Sequence, residues 1–149
     1  MKEVLVIGCG NTLRGDDAAG VRAAELIAVR RPDIDCLFVH QLMPELAEQI
    51  AEYRAVIFLD ADANATELSA HLIAPSDGTE QPRTHFLSPE SLLALCRLLY
   101  QRVPATAYSI GIPATEFEFS EQLSSSTERA VGESIRMVEH IITRVQAMI

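Results

Sequence analysis

The sequence predicts one α/β domain over residues 1–149, a three-layer sandwich with a mostly parallel, twisted sheet of about five strands and helices on both faces. Two observations predict this fold. Apolar runs typical of buried strands alternate with segments of helical periodicity, and no linker, repeat or low-complexity segment interrupts them. A chain of 149 residues, 48% of them hydrophobic, is long enough to bury one core.

The first half of the chain predicts strand, helix, strand, helix, strand. Continuous apolar runs of this kind are typical of parallel strands buried on both faces. The predicted strands cover residues 4–7, 36–39 and 55–59. The helices between them cover residues 16–31, with Pro32 as the stop, and residues 44–53, which begin with a proline.

The second half predicts strand, helix, strand, helix. A fourth strand is expected over residues 67–74, followed by a polar loop. Ser88 and Pro89 together are a strong helix start, because serine caps the helix and proline suits its first position. A fifth strand covers residues 106–112, and a capping box at residues 125–128 predicts the start of the last helix.

Charge and cysteine content exclude several classes of protein. The net charge of −9 argues against nucleic acid or an anionic membrane surface as the main partner, since both require a basic surface. The three cysteines are too widely spaced for a disulfide framework or a CxxC metal motif, which favours a reducing compartment. No signal peptide or membrane-spanning run is present, so we expect a cytoplasmic protein.

Carboxylates follow two of the predicted strands. Asp16 and Asp17 come after the first strand, and Asp60 comes directly after the third. Because the carboxyl ends of parallel strands meet at one edge of a sheet, Asp16 or Asp17 is expected near Asp60, in the crevice where such sheets bind ligands. Converging carboxylates repel one another and need a cation or shared protons.

The first turn has two other interpretations. Gly8 and Gly10 resemble the opening of a dinucleotide-binding turn, but Leu13 stands where the third glycine belongs. The acids at the start of the following helix would also repel a pyrophosphate. Alternatively, Asp16 and Asp17 serve only as a helix cap and as partners of the helix dipole.

The histidines and Cys9 were considered as further site residues. His85 lies in a loop just before the third helix, and His40 follows the second strand, where it could face the crevice. His71 and His140 are interpreted as structural or solvated. Cys9 is interpreted as a small buried residue, because its surroundings are not those of a nucleophile elbow and no base is paired with it.

Residues 8–20 read GCGNTLRGDDAAG and resemble the signature G-x-G-N-x-L-x-x-D-[DE]-x-x-G of the hydrogenase maturation endopeptidases. Three further segments are similar to that family and occur in its order along the chain. They are the apolar strand that ends in Asp60-Ala61, the segment from Thr84-His85 to Ser88, and residues 109–112 before the last helix.

The resemblance implies an activity and a site. Members of the family remove a C-terminal peptide from the large-subunit precursor of nickel-iron hydrogenase once nickel has been inserted. Their metal-contacting residues correspond to Asp17, Asp60 and His85, while Asp16 corresponds to an acid with a helix-capping or supporting role. Gly10 and Asn11 support the same loop. The nickel would belong to the precursor, so the isolated protein is expected to bind metal weakly or not at all.

One segment departs from the family pattern. Better-known members carry an Asp-Gly-Gly-Thr-like segment after the second strand, where this chain has HQLMPEL at residues 40–46. The departure leaves open which hydrogenase is processed, and it makes His40 an additional pocket residue.

The sequence is also compatible with two rival functions. One is a Mg²⁺-dependent hydrolase that uses Asp16, Asp17 and Asp60, because clusters of carboxylates suit Mg²⁺. The other is a nickel-binding accessory protein that docks on the hydrogenase without cutting it. Within the protease hypothesis, the sequence does not decide whether the metal or a carboxylate activates the water.

Overall fold

A computed structural model describes residues 1–77 and 87–148 of the chain. These residues contain five strands and four α-helices, joined by turns and loops. In chain order they are β1 (Lys2–Cys9), α1 (Ala19–Arg30), β2 (Asp35–Val39), α2 (Leu46–Ile50), β3 (Tyr53–Asp62), β4 (Ser69–Leu72), α3 (Pro89–Tyr100), β5 (Thr106–Pro113) and α4 (Ser125–Ala147). None of the helices in the described ranges has both the length and the apolarity required to cross a bilayer.

The strands form one sheet in the order β2-β1-β3-β5-β4. β1 pairs in parallel with β2 and β3, and β3 pairs in parallel with β5. Only β4, at one edge, is antiparallel to its neighbour β5. The connection from β3 to β4 is too short to contain a crossover helix, so the chain reverses direction there. The predicted five-stranded, mostly parallel sheet is confirmed.

Helices cover both faces of the sheet and complete the three predicted layers. Alternate residues of β1 point to opposite faces, as the period of a strand requires. Val4 and Val6 pack in the core beneath α1 and α4, whereas Leu5 and Ile7 pack in the core beneath α2 and α3. Because both faces are buried, the strand reads as one continuous apolar run in the sequence.

The first turn of α1 packs directly on the backbone of β1 and β3. A Cβ atom at Gly20 would overlap the carbonyl oxygen of Leu59 and would come within 2.7 Å of the carbonyl oxygen of Cys9. Only glycine allows this close approach. The contact brings the loop between β1 and α1 next to the carboxyl end of β3, where Asp60 lies.

Several element boundaries differ from the prediction. The segment from Gly15 to Ala18 is a 3₁₀ turn, and the α-helix begins only at Ala19. The second helix is shorter than expected, and so is the fourth strand. The last helix is capped by Ser124, whose extended backbone lets its hydroxyl accept the N–H of Thr127 at 3.4 Å, rather than by the predicted box at Ser125.

Replacing Gly20 by alanine should destabilise the protein strongly. We expect Gly20→Ala to lower the free energy of unfolding by about 3 kcal/mol or more, because the new methyl group meets rigid backbone atoms. Gly132→Ala in α4 is the matched control, since a Cβ atom there meets nothing within 4 Å. This control should be stabilising by about 0.5–1 kcal/mol. Urea denaturation of both variants measures the difference, and equal stabilities would contradict the close approach.

Candidate functional site

A cleft of about 460 Å³ opens where β1 and β3 end at the same edge of the sheet. Gly8 of β1 lies beside Leu59 of β3, so the loop after β1 and the end of β3 emerge together. Open parallel sheets bind ligands at this position. The described residues that line the cleft are Cys9, Gly10, Asn11, Arg14, Asp17, His40, Gln41, Leu42, Asp60, Leu87, Ser88 and Pro89.

Asp17 is oriented by the loop that precedes it. The backbone N–H of Asn11 donates to Asp17 Oδ2 at 2.8 Å, and Asn11 Oδ1 in turn accepts the N–H of Leu13 at 2.9 Å. Gly10 has a φ angle of 149°, and a Cβ atom there would overlap the carbonyl oxygen of Asp17. Gly10 and Asn11 therefore lie where they hold the Asp17 carboxylate at the cleft.

Asp16 is fully buried and does not line the cleft. Its Oδ2 accepts the N–H groups of Thr115 at 3.0 Å and of Glu116 at 2.9 Å, and the Ser124 hydroxyl at 2.8 Å. Its Oδ1 accepts the N–H of Ser124 at 2.7 Å. The carboxylate therefore ties the loop between β1 and α1 (the first loop) to the segment before α4. It supports the start of α4 rather than the start of α1.

The hydrogen bonds of Asp16 outweigh the cost of burying its charge. Burial by itself disfavours the ionised form, but the N–H groups of Thr115, Ser124 and Glu116 and the Ser124 hydroxyl hold the pKa of Asp16 well below its usual range. Asp16 is therefore a buried, ionised structural group.

Asp60 lies in the cleft close enough to Asp17 for the two charges to interact. Much of Asp60 stays accessible to solvent, yet protein atoms surround its carboxylate closely. This desolvation, reinforced by repulsion from Asp17 and Asp62 and opposed by the Ala61 N–H, raises the pKa of Asp60 to about 6. Two converging carboxylates under these conditions favour a bound cation or a proton.

Cys9 lies in the same cleft but is unsuited to be a nucleophile. Burial, together with the negative charges of Asp60 and Asp17, raises the pKa of Cys9 to about 12, against the opposing effect of a backbone hydrogen bond from Leu42. Its Sγ donates to the carbonyl oxygen of His40 at 3.6 Å. Since the thiolate is the reactive form, the thiol is inert near neutral pH.

The three histidines that the structure describes lie in different places. His40 is exposed in the cleft wall, as the pattern after the second strand suggested. His71 lies in β4 and His140 lies in α4, and neither lines the cleft. His85 falls outside the described residues. The described chain resumes at Leu87, which is itself part of the cleft wall.

The donor set within the described ranges is incomplete for a metal ion. Asp17 and Asp60 share the cleft, but no group of three His, Cys, Asp or Glu side chains in residues 1–77 and 87–148 could hold an ion. The two carboxylates supply oxygen ligands that suit a divalent cation. A third ligand would come from outside these ranges or from the bound molecule.

One cleft residue was missed by the sequence reasoning. Arg14 lines the cleft beside Asp17 and forms no ion pair with any described residue. Its position inside the signature, directly before Gly15, was the sequence feature that could have marked it as a cleft residue. A backbone bridge from Arg14 to Ser120 also joins the first loop to the segment before α4.

Comparisons with known proteins identify the fold. No family model matches the sequence, and no curated protein is recognisably similar to it. Solved structures do match. The hydrogenase maturating endopeptidase HybD from E. coli superposes with a TM-score of 0.75 at 20% identity, over 97% of this chain and 93% of that one.

Two archaeal structures are similar to a comparable degree. The [NiFe] hydrogenase maturation protease HybD from Thermococcus kodakarensis has a TM-score of 0.73 at 23% identity, over 95% of this chain and 99% of that one. The hydrogenase 2 maturation peptidase from Thaumarchaeota archaeon SCGC_AB-539-E09 has a TM-score of 0.70 at 24% identity, with the same coverage. At these identities the likeness establishes a shared fold.

Replacing Asp16 by asparagine should destabilise the protein by about 2–4 kcal/mol at pH 7, because the buried N–H donors lose a charged acceptor and face an amide group. Asp33→Asn, which breaks only a surface ion pair with Arg31, should leave the stability nearly unchanged. Urea denaturation measures both.

The contribution of Asp16 also has a defined pH dependence. Because the folded pKa is depressed, the stabilisation is present above the unfolded value of about 3.9 and is lost as pH falls below it. Wild type should therefore lose stability below pH 4 more steeply than Asp16→Asn. Parallel pH profiles would contradict the assigned charge state.

Asp60→Asn should stabilise the protein relative to wild type at pH 7–8, and the gain should shrink towards pH 4. The folded pKa of about 6 lies above the ordinary value of 3.8, so between these values the native state retains a proton that the unfolded state has lost. Above pH 6 the ionised native state is the less stable one, and asparagine mimics the protonated form. Denaturation curves from pH 4 to 8 measure the gain, and a gain independent of pH would contradict the raised pKa.

Proposed function

We propose that this protein is a hydrogenase maturation endopeptidase, which removes the C-terminal extension of a nickel-iron hydrogenase large-subunit precursor after nickel insertion. One observation supports the proposal most. Asp17 and Asp60 share a cleft at the carboxyl ends of β1 and β3, on a fold that the HybD structures also have. By the resemblance described above, Asp17 of the signature and Asp60 at the end of the third strand correspond to metal-contacting residues of the family.

The proposed metal-contacting residues are Asp17, Asp60 and His85. His85 precedes Leu87, a residue of the cleft wall, by two positions. Two carboxylates and one imidazole suit a borderline divalent metal such as nickel.

The nickel is proposed to arrive as part of the substrate. Three protein ligands leave coordination positions open, which the ligands supplied by the precursor can fill. Arg14 lines the same cleft, but neither Asp17 nor Asp60 forms an ion pair with a described residue, so the two carboxylates favour a bound cation. The protease would thus recognise a precursor that carries nickel and would ignore one that does not.

Two routes to peptide hydrolysis fit this cleft. The metal can act as a Lewis acid on the scissile carbonyl group, or a carboxylate can take a proton from the attacking water. A third route, through a Cys9 thiolate, is disfavoured by the raised pKa of that thiol.

The burial of Asp16 weighs against the rival Mg²⁺-dependent hydrolase. That hypothesis required Asp16, Asp17 and Asp60 to act together, but Asp16 is fully buried and its hydrogen bonds join it to Ser124 and its neighbours. The cleft then offers two carboxylates rather than three. A nickel-binding accessory protein without protease activity is distinguished by the assay below.

We also propose a cytoplasmic location. Cys9, Cys36 and Cys96 are all free thiols in the structure, as suits a reducing compartment.

The decisive experiment mixes the purified protein with a nickel-loaded, co-encoded large-subunit precursor and follows loss of the C-terminal peptide by mass spectrometry. Cleavage is expected with nickel-loaded precursor and not with nickel-free precursor. Asp17→Ala, Asp60→Ala and His85→Ala should each reduce the rate by about 100-fold or more, since each removes a ligand or an acid–base group. Their circular dichroism spectra should match that of wild type.

Two exposed residues serve as matched controls. His140→Ala in α4 and Asp33→Ala after α1 remove the same side-chain types far from the cleft lining and should process normally. Binding of the precursor without any cleavage would favour the accessory-protein hypothesis. If His85→Ala processes the precursor normally, His85 is not a metal-contacting residue. Efficient cleavage of nickel-free precursor would refute nickel recognition.

A further inference from the structure

A second cleft lies directly beside the carboxylate cleft. It has a volume of about 430 Å³ and is formed by the first loop, by one residue of α1 and by the end of β2. Its lining residues are Gly10, Asn11, Thr12, Leu13, Val21, Phe38, Val39 and His40. Gly10, Asn11 and His40 line both clefts, so the two are neighbours that share a wall.

The chemistry of the second cleft differs from that of the first. Four of its lining residues are apolar and larger than alanine: Leu13, Val21, Phe38 and Val39. Among the described lining residues, His40 in the shared wall is the only ionisable one. Phe38 and Leu13 are 48% and 45% exposed, so large apolar surfaces face solvent beside a carboxylate site. Concave apolar surface next to polar groups is typical of a binding subsite.

We infer that this apolar cleft binds a large apolar side chain of the substrate polypeptide, next to the bond that is cleaved. The inference rests on the proposed protease function. A peptide bond held at Asp17 and Asp60 leads into an extended chain that rises about 3.3 Å per residue. A side chain within three positions of that bond therefore reaches the neighbouring cleft across the wall formed by Asn11 and His40.

The position of β2 in the sheet favours a peptide occupant. β2, which supplies Phe38 and Val39, is an edge strand of the sheet, and no described strand lies beyond it. An extended peptide can therefore lie along this side of the sheet without meeting another strand. The apolar walls select against a charged side chain, because its burial there would leave the charge without a partner. The carboxylates would then recognise the cation of the substrate, and the apolar cleft would set which peptide sequence is accepted.

The test compares steady-state kinetics of variants on nickel-loaded precursor. Phe38→Ser should lower kcat/KM about tenfold, mainly through a higher KM, because the lost contact is made before and during the reaction. Phe38→Leu should restore kcat/KM to within about threefold of wild type. Leu98→Ser, at an apolar residue of α3 that is 74% exposed and lines neither cleft, is the matched control and should leave the kinetics unchanged.

A substrate-side experiment identifies the occupant. The apolar residues within three positions of the scissile bond of the precursor are replaced by serine, one at a time. One replacement should lower kcat/KM about tenfold with wild-type protease and should have no further effect with Phe38→Ser. Such non-additivity is the signature of two residues in direct contact.

The outcomes separate this inference from the proposed function. If wild type cleaves the precursor and Phe38→Ser does so equally well, the apolar subsite is refuted and the protease function stands. Strictly additive effects of Phe38→Ser and every precursor replacement would also refute it. If wild type cleaves no precursor, the proposed function fails, and the occupant inferred here fails with it.

Discussion

The structure of the site depends on the buried carboxylate of Asp16. Its oxygens accept three backbone N–H groups and two hydroxyls from Thr115, Glu116 and Ser124, about a hundred positions later in the chain. These bonds hold the first loop against the segment before α4, which a backbone bridge at Arg14 reinforces. Because the loop is fixed at Asp16, the neighbouring residue Asp17 is held in position at the cleft.

Asp16 and Asp17 illustrate how surroundings assign different roles to adjacent, chemically identical side chains. Asp16 is satisfied by fixed donors and stays ionised in the interior, whereas Asp17 faces a cleft that already contains Asp60. In that cleft, desolvation and the repulsion from Asp17 and Asp62 raise the pKa of Asp60, so the two carboxylates favour a bound cation or a proton. The apolar cleft beyond the shared wall adds a second, uncharged element of recognition, and a protein substrate that carries a metal would satisfy both.

Most of the fold was predictable because it follows from short-range patterns. The apolar runs at residues 4–7 and 55–59 indicated doubly buried strands, and Ser88-Pro89 indicated the start of α3, where Ser88 accepts the N–H of Ser91. The ends of helices were less predictable where residues distant in the sequence form hydrogen bonds with the residues at those ends. The first helix was expected from Asp16, but a 3₁₀ turn forms there, and the carboxylate of Asp16 is engaged by the segment before α4.

The sequence by itself determined the layered α/β fold and the meeting of acids at one sheet edge, because strand period and strand direction are local properties. The roles of His85 and of the nickel remain predictions from resemblance. The residue pattern left Asp16 and Asp17 as alternatives, of which the resemblance implied Asp17. Only the tertiary structure shows that Asp16 is buried, that Asp17 lies in the cleft with Asp60, and that an apolar cleft lies beside them. These positions depend on hydrogen-bond donors and cleft residues that come from segments far apart in the chain. Patterns among neighbouring residues do not reveal which distant segments are in contact.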